Sequence, residues 1–448
     1  MPRKKLRFTC FLLVVFTILL SLLPTAVTAD TPPIPYLDRV GGVLLLNMEC
    51  GTVVYERQAN TRVMPASTTK IMTSLIAIEH MSDRMYETVT VPAIIPQMTA
   101  GLNMGLQANE EIEVRYLLAA NIISGANDAA MMLAYLVSGS QQDFVELMNQ
   151  RAEEWGMFDT NYVNATGIDG EGARTTPHDV SRIALRAKEC RVFMRYAGQA
   201  TFIIPPTNLS AQQRIYNRNY LVSGGFILPV YGRPEVNGLN AGNTEGAGTV
   251  VVATASVNNT MLMAIVFGGS NRYAGQVSFS CHLAAWALIS WAGENYSYQT
   301  VFDRSSIVGE ISVAFARGSD YITVVPRDTV VLFLNNNADT DEILTTRIEW
   351  LGEEFIAPVA AETVVGTIFI YQGGRRISEM ELITRNSLSL NQWQYIITGI
   401  YNIVSSTAFL IGALVFAIIC VWYILTTAGK RYRKQEQERI AHLKKGDS

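Results

Sequence analysis

A long uncharged stretch near the C-terminus constrains the fold of this chain more than any other feature. No charged residue lies between Arg385 and Lys430, and residues 403–426 within that interval are almost wholly apolar. A helix rises about 1.5 Å per residue, so these residues can cross a hydrocarbon core about 30 Å thick. The alternative is a buried core helix, which the missing charges disfavour. We therefore predict a transmembrane helix over residues 403–426.

Basic residues follow this stretch immediately and indicate its orientation. Lysine and arginine beside a membrane span favour the cytoplasmic side. We therefore expect residues 430–448 to form a short cytoplasmic tail, with the body of the chain on the other side of the membrane. The basic residues are Lys430, Arg431, Arg433 and Lys434.

The N-terminus has the pattern of a secretory signal. Four basic residues among the first seven precede an apolar run from Phe8 to Leu23, and Val27-Thr28-Ala29 supplies small residues for cleavage. This pattern predicts a signal peptide over residues 1–29. The alternative is a permanent N-terminal membrane anchor, which the shortness of the apolar run disfavours. Together, the two ends predict an exported body that is attached to the cell membrane by a single C-terminal span.

Composition argues against several classes of function. The net charge is -4 and is spread along the chain, so a nucleic acid is not expected as a partner. No Cys-x-x-Cys or histidine-rich pattern occurs, so we predict neither a metal site nor a cofactor. The three cysteines outside the apolar ends, Cys50, Cys190 and Cys281, are too widely spaced for a disulfide framework.

Residues 30–297 carry the pattern of an α/β domain. Helix-like periodicity lies between strand-like apolar runs at the two ends of this region, which favours one layered α/β structure. A hairpin is predicted at residues 42–55, and a second pair of strands is joined by a polar turn at residues 257–260. Helices are predicted over residues 67–80, 114–123, 127–137, 142–155 and 275–292.

Residues 298–390 have a different pattern, typical of a small all-β domain. Short runs of alternating apolar residues are separated by turn-forming residues such as Asn335-Asn336-Asn337 and Gly373-Gly374. This region contains no obvious catalytic cluster, and we interpret it as a spacer above the membrane. Strands are predicted at residues 311–315, 321–325, 330–334, 347–350, 367–371 and 379–383.

Ser67 and Lys70 are the candidate catalytic pair. Residues three apart lie on one face of a helix, so Lys70 is expected within hydrogen-bond reach of Ser67. A lysine has an ordinary pKa of about 10.4, which burial and positive neighbours lower until the neutral amine can act as a base. The chain has only four histidines, so a Ser-His-Asp triad is poorly supplied. Taken alone, the same spacing also suits a helix cap beside a solvated lysine.

The surroundings of Ser67 carry a resemblance to a known family. The segments at residues 42–47, 51–56 and 65–70 read GVLLLN, GTVVYE and PASTTK, and NATGIDGEG follows at residues 164–172. Their order resembles that of the low-molecular-mass penicillin-binding proteins, the serine D-Ala-D-Ala carboxypeptidases of bacterial cell-wall maturation. The resemblance covers roughly residues 40–290. It implies a serine β-lactamase/DD-peptidase-like domain, an antiparallel sheet with helices, followed by a small all-β domain and a membrane anchor.

The resemblance also implies a reaction and its residues. In that family a serine attacks the bond between two D-alanines of a peptidoglycan stem peptide, and β-lactams act as covalent inhibitors. By resemblance Ser67 is the nucleophile and Lys70 its base. The backbone N–H groups of Ser67 and Asn243 would form the oxyanion hole. Arg218 falls where the family places an arginine that holds the substrate carboxylate, and a surface salt bridge is the alternative.

Two of the family's three motifs are altered. The second is normally Ser-x-Asn, but Ser124 and Asn127 are separated here by Gly125 and Ala126, so Ser124 reaches the site only if the chain bulges locally. The third is normally Lys-Thr-Gly on an inner strand, and here it reads Asn240-Ala241-Gly242. Asn240 brings no charge and Ala241 no hydroxyl, although the glycine is kept.

These departures leave three hypotheses. The first is a carboxypeptidase at the bacterial cell membrane, with its catalytic domain outside the cytoplasm and weakened activity. The second is a degenerate relative that binds peptidoglycan or a cell-wall protein without turnover. The third, a β-lactamase or esterase on the same fold, is disfavoured because no deacylating carboxylate motif is evident.

Overall fold

The computed structural model describes residues 34–227, 231–269, 272–273, 276–277 and 279–445. The predicted signal peptide, residues 1–29, lies outside the described residues. The chain divides into two compact units, of which the first ends at Ser297 and the second begins at Tyr298.

An antiparallel sheet is the centre of the first unit. Five strands pair in the order β2-β1-β9-β8-β7, and the other strands form two-stranded pairs. This agrees with the predicted antiparallel sheet. The strands of the unit are β1 (Val43–Asn47), β2 (Val53–Arg57), β3 (Thr88–Thr90), β4 (Glu111–Glu113), β5 (Thr201–Ile204), β6 (Gln213–Tyr216), β7 (Val236–Thr244), β8 (Gly248–Val257), β9 (Thr260–Gly269), β10 (Arg272–Tyr273) and β11 (Gln276–Val277).

Two tight turns join the strands that were predicted as hairpins. Asn47 accepts a hydrogen bond from the Glu49 backbone at 2.8 Å and so closes the turn between β1 and β2. Between β8 and β9, Asn258 and Asn259 have φ angles of 48° and 61°. Asparagine tolerates this left-handed conformation better than most residues, which suits a two-residue hairpin turn.

Helices pack against this sheet and against one another. The helix that follows Ser67 is the most deeply placed, since eleven of its 13 residues are buried. A helix that is apolar on nearly every face is stable only inside a core. The helices are α1 (Thr69–Met81), α2 (Ile94–Met98), α3 (Val114–Ala119), α4 (Asn127–Ser138), α5 (Gln141–Glu154), α6 (Pro177–Glu189), α7 (Arg191–Ala197), α8 (Tyr220–Ile227) and α9 (Ser280–Asn295).

One predicted helix begins later in the structure. The helix predicted from residue 275 begins only at Ser280, because β10 and β11 form a small hairpin before it. The strand that carries the third motif, β7, is the edge of its sheet. An edge strand leaves one row of backbone groups free to pair with an extended ligand.

Residues 298–390 of the second unit are built mainly from strands, as predicted. A six-stranded sheet in the order β16-β18-β19-β14-β13-β17 encloses a core that includes Val313, Val324 and Ile368, and β12 pairs with β15. A one-turn helix, α10 (Thr340–Ile343), interrupts the strands. The strands are β12 (Tyr296–Phe302), β13 (Gly309–Ala314), β14 (Tyr321–Pro326), β15 (Val330–Asn335), β16 (Leu344–Trp350), β17 (Glu354–Ile356), β18 (Val364–Gln372) and β19 (Arg375–Thr384).

Two helices end the described chain. They are α11 (Gln392–Ser405) and α12 (Thr407–Lys445), and Ser406 between them is extended, with ψ of 140°. In the described part of the chain, one helical stretch, Thr407–Gln437, is long and apolar enough to cross a membrane. Its most apolar window has a mean hydropathy of 2.7, and none of that window is buried. The first residues of the predicted span, 403–405, belong to α11.

A buried carboxylate on α4 holds the loop at residues 104–106. Asp128 is 2% exposed and accepts hydrogen bonds from the backbone N–H groups of Met104, Gly105 and Leu106 at 2.8–3.0 Å. Three donors of one loop therefore depend on a single side chain. Without it the buried N–H of Leu106 would be left unpaired and the other two donors would lose their acceptor, which is costly.

We predict that Asp128→Ala lowers the free energy of unfolding by about 3 kcal/mol, because three backbone donors, one of them buried, lose their common acceptor. Urea denaturation of the detergent-solubilised chain measures this loss. Asp83→Ala, at an exposed position, is the control and should change the free energy by less than about 0.5 kcal/mol. Equal effects of the two substitutions would contradict the role assigned to Asp128.

Candidate active site

Ser67 lies at the entrance to the buried helix α1. It belongs to a 3-10 turn, Ala66–Thr68, that leads directly into the helix. Ala66 before it has a φ angle of 45°, a conformation that residues with a Cβ rarely adopt. Strained backbone of this kind persists only where the surroundings hold it, and it often marks a functional site.

Two glycines make this arrangement possible. A Cβ added to Gly167 would lie 1.8 Å from the Ala66 carbonyl oxygen. A Cβ added to Gly242 on β7 would lie 2.0 Å from Ser67 Oγ. Any side chain at either position would therefore displace the serine or the residue before it.

Lys70 is buried one helical turn after Ser67. Its side chain is 3% exposed, and Nζ donates a hydrogen bond to the Thr166 carbonyl oxygen at 2.5 Å. Burial, and to a smaller extent the positive charge of Arg218, lower the pKa of Lys70 to about 7. The amine is therefore substantially neutral at physiological pH, as a general base requires.

Ser67 and Lys70 are close in the chain but not directly bonded in this state. Within the described residues, Lys70 donates to Thr166 and Ser67 Oγ has no hydrogen-bond partner. The direct bond expected from the spacing is absent, since a backbone carbonyl competes for the ammonium. Catalytic hydrogen bonds often form only when substrate is bound.

A π-helical turn, Ala120–Ser124, carries the second motif. A π-turn accommodates one residue more than an α-helical turn, and such bulges are frequent at functional sites. The turn ends at Gly125, with φ of 70°, and brings Ser124 to the wall of the cleft. The Ser124 hydroxyl donates to the Ala120 carbonyl oxygen at 2.8 Å. A bulge of this kind is the local change that the altered spacing required.

Asn127 lies at the start of α4 and is 5% exposed. Its side-chain amide donates to the Ala100 carbonyl oxygen at 2.7 Å, and its backbone N–H donates to the Leu102 carbonyl oxygen at 2.7 Å. Asn127 therefore holds the loop that forms one wall of the cleft.

Residues of the third motif divide between the cleft and the interior. Ala241, Gly242 and Asn243 line the cleft, but Asn240 does not. Asn240 pairs with Val252 across β7 and β8, is 5% exposed, and its Oδ1 has no hydrogen-bond partner among the described residues. Asn240 is therefore not among the residues that line the cleft, and its contact with substrate stays a prediction.

Arg218 supplies positive charge to the cleft. Its backbone N–H donates to the Ile123 carbonyl oxygen at 3.0 Å, which ties it to the π-turn. Among the described residues, no carboxylate forms an ion pair with its guanidinium, so the predicted alternative of a surface salt bridge is not observed. The charge is free to hold an anionic group of a ligand.

These side chains surround one cleft of about 140 Å³. It brings together seven of the eight predicted site residues, all except Asn240. It also includes Thr166 and Gly167, whose roles sequence reasoning missed; the only signal was their place in the NATGIDGEG segment. Within the described residues, no group of three metal-ligating side chains is present. The lining residues are Ser67, Lys70, Gly101, Leu102, Ser124, Gly125, Asn127, Thr166, Gly167, Ile168, Arg218, Ala241, Gly242, Asn243 and Thr244.

Known proteins with related sequences match most of this chain. D-alanyl-D-alanine carboxypeptidase DacF of Bacillus subtilis (strain 168) is 23% identical over 348 residues, which cover 77% of this chain and 85% of that protein. D-alanyl-D-alanine carboxypeptidase DacC of Escherichia coli (strain K12) is 25% identical over 383 residues, which cover 82% of this chain and 88% of that protein.

Solved structures share the fold. The D-alanyl-D-alanine carboxypeptidase DacD from Francisella tularensis has a TM-score of 0.61 at 20% identity, covering 78% of this chain and 94% of that one. Penicillin binding protein 5 from Haemophilus influenzae has a TM-score of 0.57 at 21% identity, and the match covers 80% of this chain and 98% of that one. These likenesses confirm the predicted DD-peptidase fold.

Two protein families match successive parts of the chain. The penicillin-binding protein 5 C-terminal domain matches residues 296–389. The D-alanyl-D-alanine carboxypeptidase family, Peptidase_S11, matches residues 35–271, more than half of the chain. The chain therefore belongs to the D-alanyl-D-alanine carboxypeptidase family.

Proposed function

We propose that this chain is a membrane-anchored serine D-Ala-D-Ala carboxypeptidase that removes the terminal D-alanine from peptidoglycan stem peptides. The observation that carries the proposal is the buried Lys70, with a pKa of about 7, one turn from Ser67 in a cleft that also holds an unpaired Arg218. Nucleophile, base and anion-binding group are the parts that such a reaction needs.

The chemistry follows from these positions. Ser67 Oγ attacks the carbonyl carbon of the penultimate D-alanine, while the neutral Lys70 amine takes the hydroxyl proton. The backbone N–H groups of Ser67 and Asn243 stabilise the oxyanion. The peptide C–N bond then breaks, the leaving D-alanine amine receives the proton, and a seryl ester remains. Water hydrolyses that ester and regenerates Ser67.

Arg218 takes on two tasks in this proposal. Its unpaired guanidinium holds the terminal carboxylate of the substrate, a task suited to its planar pair of donors. Its charge also lowers the pKa of Lys70, which a lysine at position 240 would otherwise help to do. The same cleft accepts β-lactams, which acylate Ser67 as covalent inhibitors.

Ser124 completes the proton path. It lies on the cleft wall, and its hydroxyl can turn from Ala120 towards the leaving group. A hydroxyl both donates and accepts, so it can pass a proton from Lys70 to the leaving amine.

The C-terminal helices support a membrane location. The first part of helix α12 is apolar and unburied, and basic residues begin at Lys430 within the same helix. We place the cleft outside the cytoplasm and the residues after Lys430 inside it, because basic flanks favour the cytoplasmic side. The β-strand unit serves as a spacer above the membrane.

A second candidate function has specific support. Asn240 is neutral and buried, and Ala241 has no hydroxyl, so two donors of the family's third motif are missing. Loss of one such donor typically costs on the order of 10²–10³ in rate. A chain with these losses can act as a peptidoglycan or cell-wall protein binding module without turnover.

We predict that full-length chain incubated with a penicillin gains the mass of one adduct, and that Ser67→Ala abolishes it. Gly242→Ala should also block the adduct, because its Cβ would lie 2.0 Å from Ser67 Oγ. Intact-mass measurement tests both. Ser138→Ala, at the end of α4 and outside the cleft, is the matched control and should keep the adduct. An adduct that survives Ser67→Ala would refute the nucleophile assignment.

We predict that acylation by a fluorescent penicillin rises with pH and is half-maximal near pH 7, because the neutral form of Lys70 predominates above its pKa of about 7. Arg218→Gln removes a positive neighbour, so the pKa of Lys70 should rise and the profile should move to higher pH. Acylation rates measured from pH 5 to pH 9 give both profiles. A wild-type profile with no inflection in this range would contradict the assignment of Lys70 as the base.

We predict that the double substitution Asn240→Lys with Ala241→Thr raises D-alanine release by on the order of 10², since it restores two donors. Release from a D-Ala-D-Ala peptide is measured with a D-amino-acid oxidase assay. The same pair in a Ser67→Ala background is the control and should release nothing. Peptide binding without release in the wild type would favour the binding module.

A further inference from the structure

A buried asparagine next to Arg218 takes no part in the proposed chemistry. We infer that Asn217 is a positioning residue, which holds Arg218 in the cleft where its charge acts on Lys70 and on the substrate carboxylate. This inference rests on the proposed function. In this view the side chain of Asn217 fixes the position of the Arg218 charge in the cleft.

The side chain of Asn217 uses its full donor capacity. It is 4% exposed, and Nδ2 donates to the carbonyl oxygens of Ala197 and Gln199, both at 2.9 Å. Its Oδ1 accepts from the Asn219 backbone N–H at 2.9 Å. An amide has two N–H donors and one carbonyl acceptor, so an asparagine satisfies all three partners at once.

The backbone of Asn217 is held as well. Its N–H donates to the Ala200 carbonyl oxygen at 2.9 Å. Its carbonyl oxygen accepts from the hydroxyl of Ser223, a fully buried residue of α8, at 2.7 Å. Residue 217 is therefore bonded to the end of α7, to the chain before β5 and to α8. Buried bonds in three directions leave this backbone little freedom to move.

The hydrogen bonds of Asn217 also fix the backbone position of Arg218. The residues on both sides of it are fixed, and its own N–H donates to Ile123 of the π-turn at 3.0 Å. Its Cγ lies 3.8 Å from the point where a Cβ on Gly125 would stand. The stem of the side chain thus starts from a fixed backbone and passes close to the second motif.

The position of the Arg218 charge matters more in this chain than in a protein whose third motif contains a lysine. Besides burial, Arg218 is the one described group that acts on the pKa of Lys70, since position 240 carries a neutral asparagine. If Arg218 moves away, the pKa of Lys70 rises. The charge and its support therefore act as one unit.

Another titratable group faces Arg218 from helix α9. The ring of His282 is 3% exposed, lies near the Arg218 backbone and packs against the rings of Tyr220 and Phe279. The pKa of His282 is lowered to about 4, chiefly by burial; a hydrogen bond to the Arg218 backbone opposes this shift and the charge of Arg218 adds to it. His282 is therefore neutral between pH 5 and pH 9 and does not contribute an inflection there.

The test compares acylation profiles of the full-length chain and of Asn217→Ala in detergent with a fluorescent penicillin. We expect the half-maximal pH to rise by about one unit, so that acylation at pH 7 falls about fivefold and recovers by pH 9. KM for a D-Ala-D-Ala peptide should rise more than kcat falls. Asn149→Ala is the matched control, because Asn149 also bonds two backbone groups, of Tyr162 at 2.8 and 2.9 Å, but lies outside the cleft. Its profile should keep the wild-type inflection.

Two further variants make the test specific. In an Asn240→Lys background, Asn217→Ala should shift the profile less, because a lysine then supplies charge independently of Arg218. Ser223→Ala removes the hydrogen bond to the Asn217 carbonyl oxygen and should shift the profile in the same direction. This variant tests the inference if Asn217→Ala fails to fold.

The outcomes distinguish the positioning role of Asn217 from the proposed function. A loss of acylation by the same factor at every pH, or an unshifted inflection in both network variants, would overturn the positioning role while the proposed function stands. Absence of acylation in the wild type at every pH would overturn the proposed function and this role with it.

Discussion

Burial of Lys70 is the constraint on which the rest of the cleft depends. An ammonium taken out of water pays a large desolvation cost, and a buried lysine avoids it by releasing its proton. One carbonyl, that of Thr166, is the hydrogen-bond partner of Lys70 Nζ, and the nearby charge of Arg218 disfavours the protonated form. The close approach of Gly167 to Ala66 brings the Thr166 segment to the helix that carries the lysine. The packing of the core therefore determines the protonation state of Lys70.

Of the two cations in the family pattern, the third-motif lysine and the arginine at the position of Arg218, this site keeps only the arginine. With Asn240 neutral and buried, the charge that acts on Lys70 belongs to Arg218, on the segment between β6 and α8. An arginine is long, so its usefulness depends on how firmly its backbone is held. Hydrogen bonds of Asn217 to Ala197 and Gln199 supply that support. Altered motif residues need not abolish a site when another buried network carries the charge.

The two units and the C-terminal helices bury apolar surface in different ways. The first unit surrounds α1 on nearly every side, whereas the strands of the second unit alternate between a core and solvent. Helix α12 has an apolar stretch that no part of the described chain covers. Such a stretch is stable where lipid provides the apolar surroundings.

Local pattern determined much of this protein. The uncharged C-terminal stretch, the helix that follows Ser67 and the alternating strands of the second unit are all visible in sequence, because each depends on the spacing of apolar residues along the chain. The resemblance in motif order predicted the fold and eight site residues, seven of which line the cleft. Tertiary structure alone decided the pKa of Lys70, the edge position of β7, the burial of Asn240 and the π-turn that carries Ser124. It also decided the roles of Thr166, which acts through a carbonyl that every residue has, and of Asn217. These features arise from contacts between residues far apart in the chain, and burial, charge and backbone approach are set by those contacts rather than by local spacing.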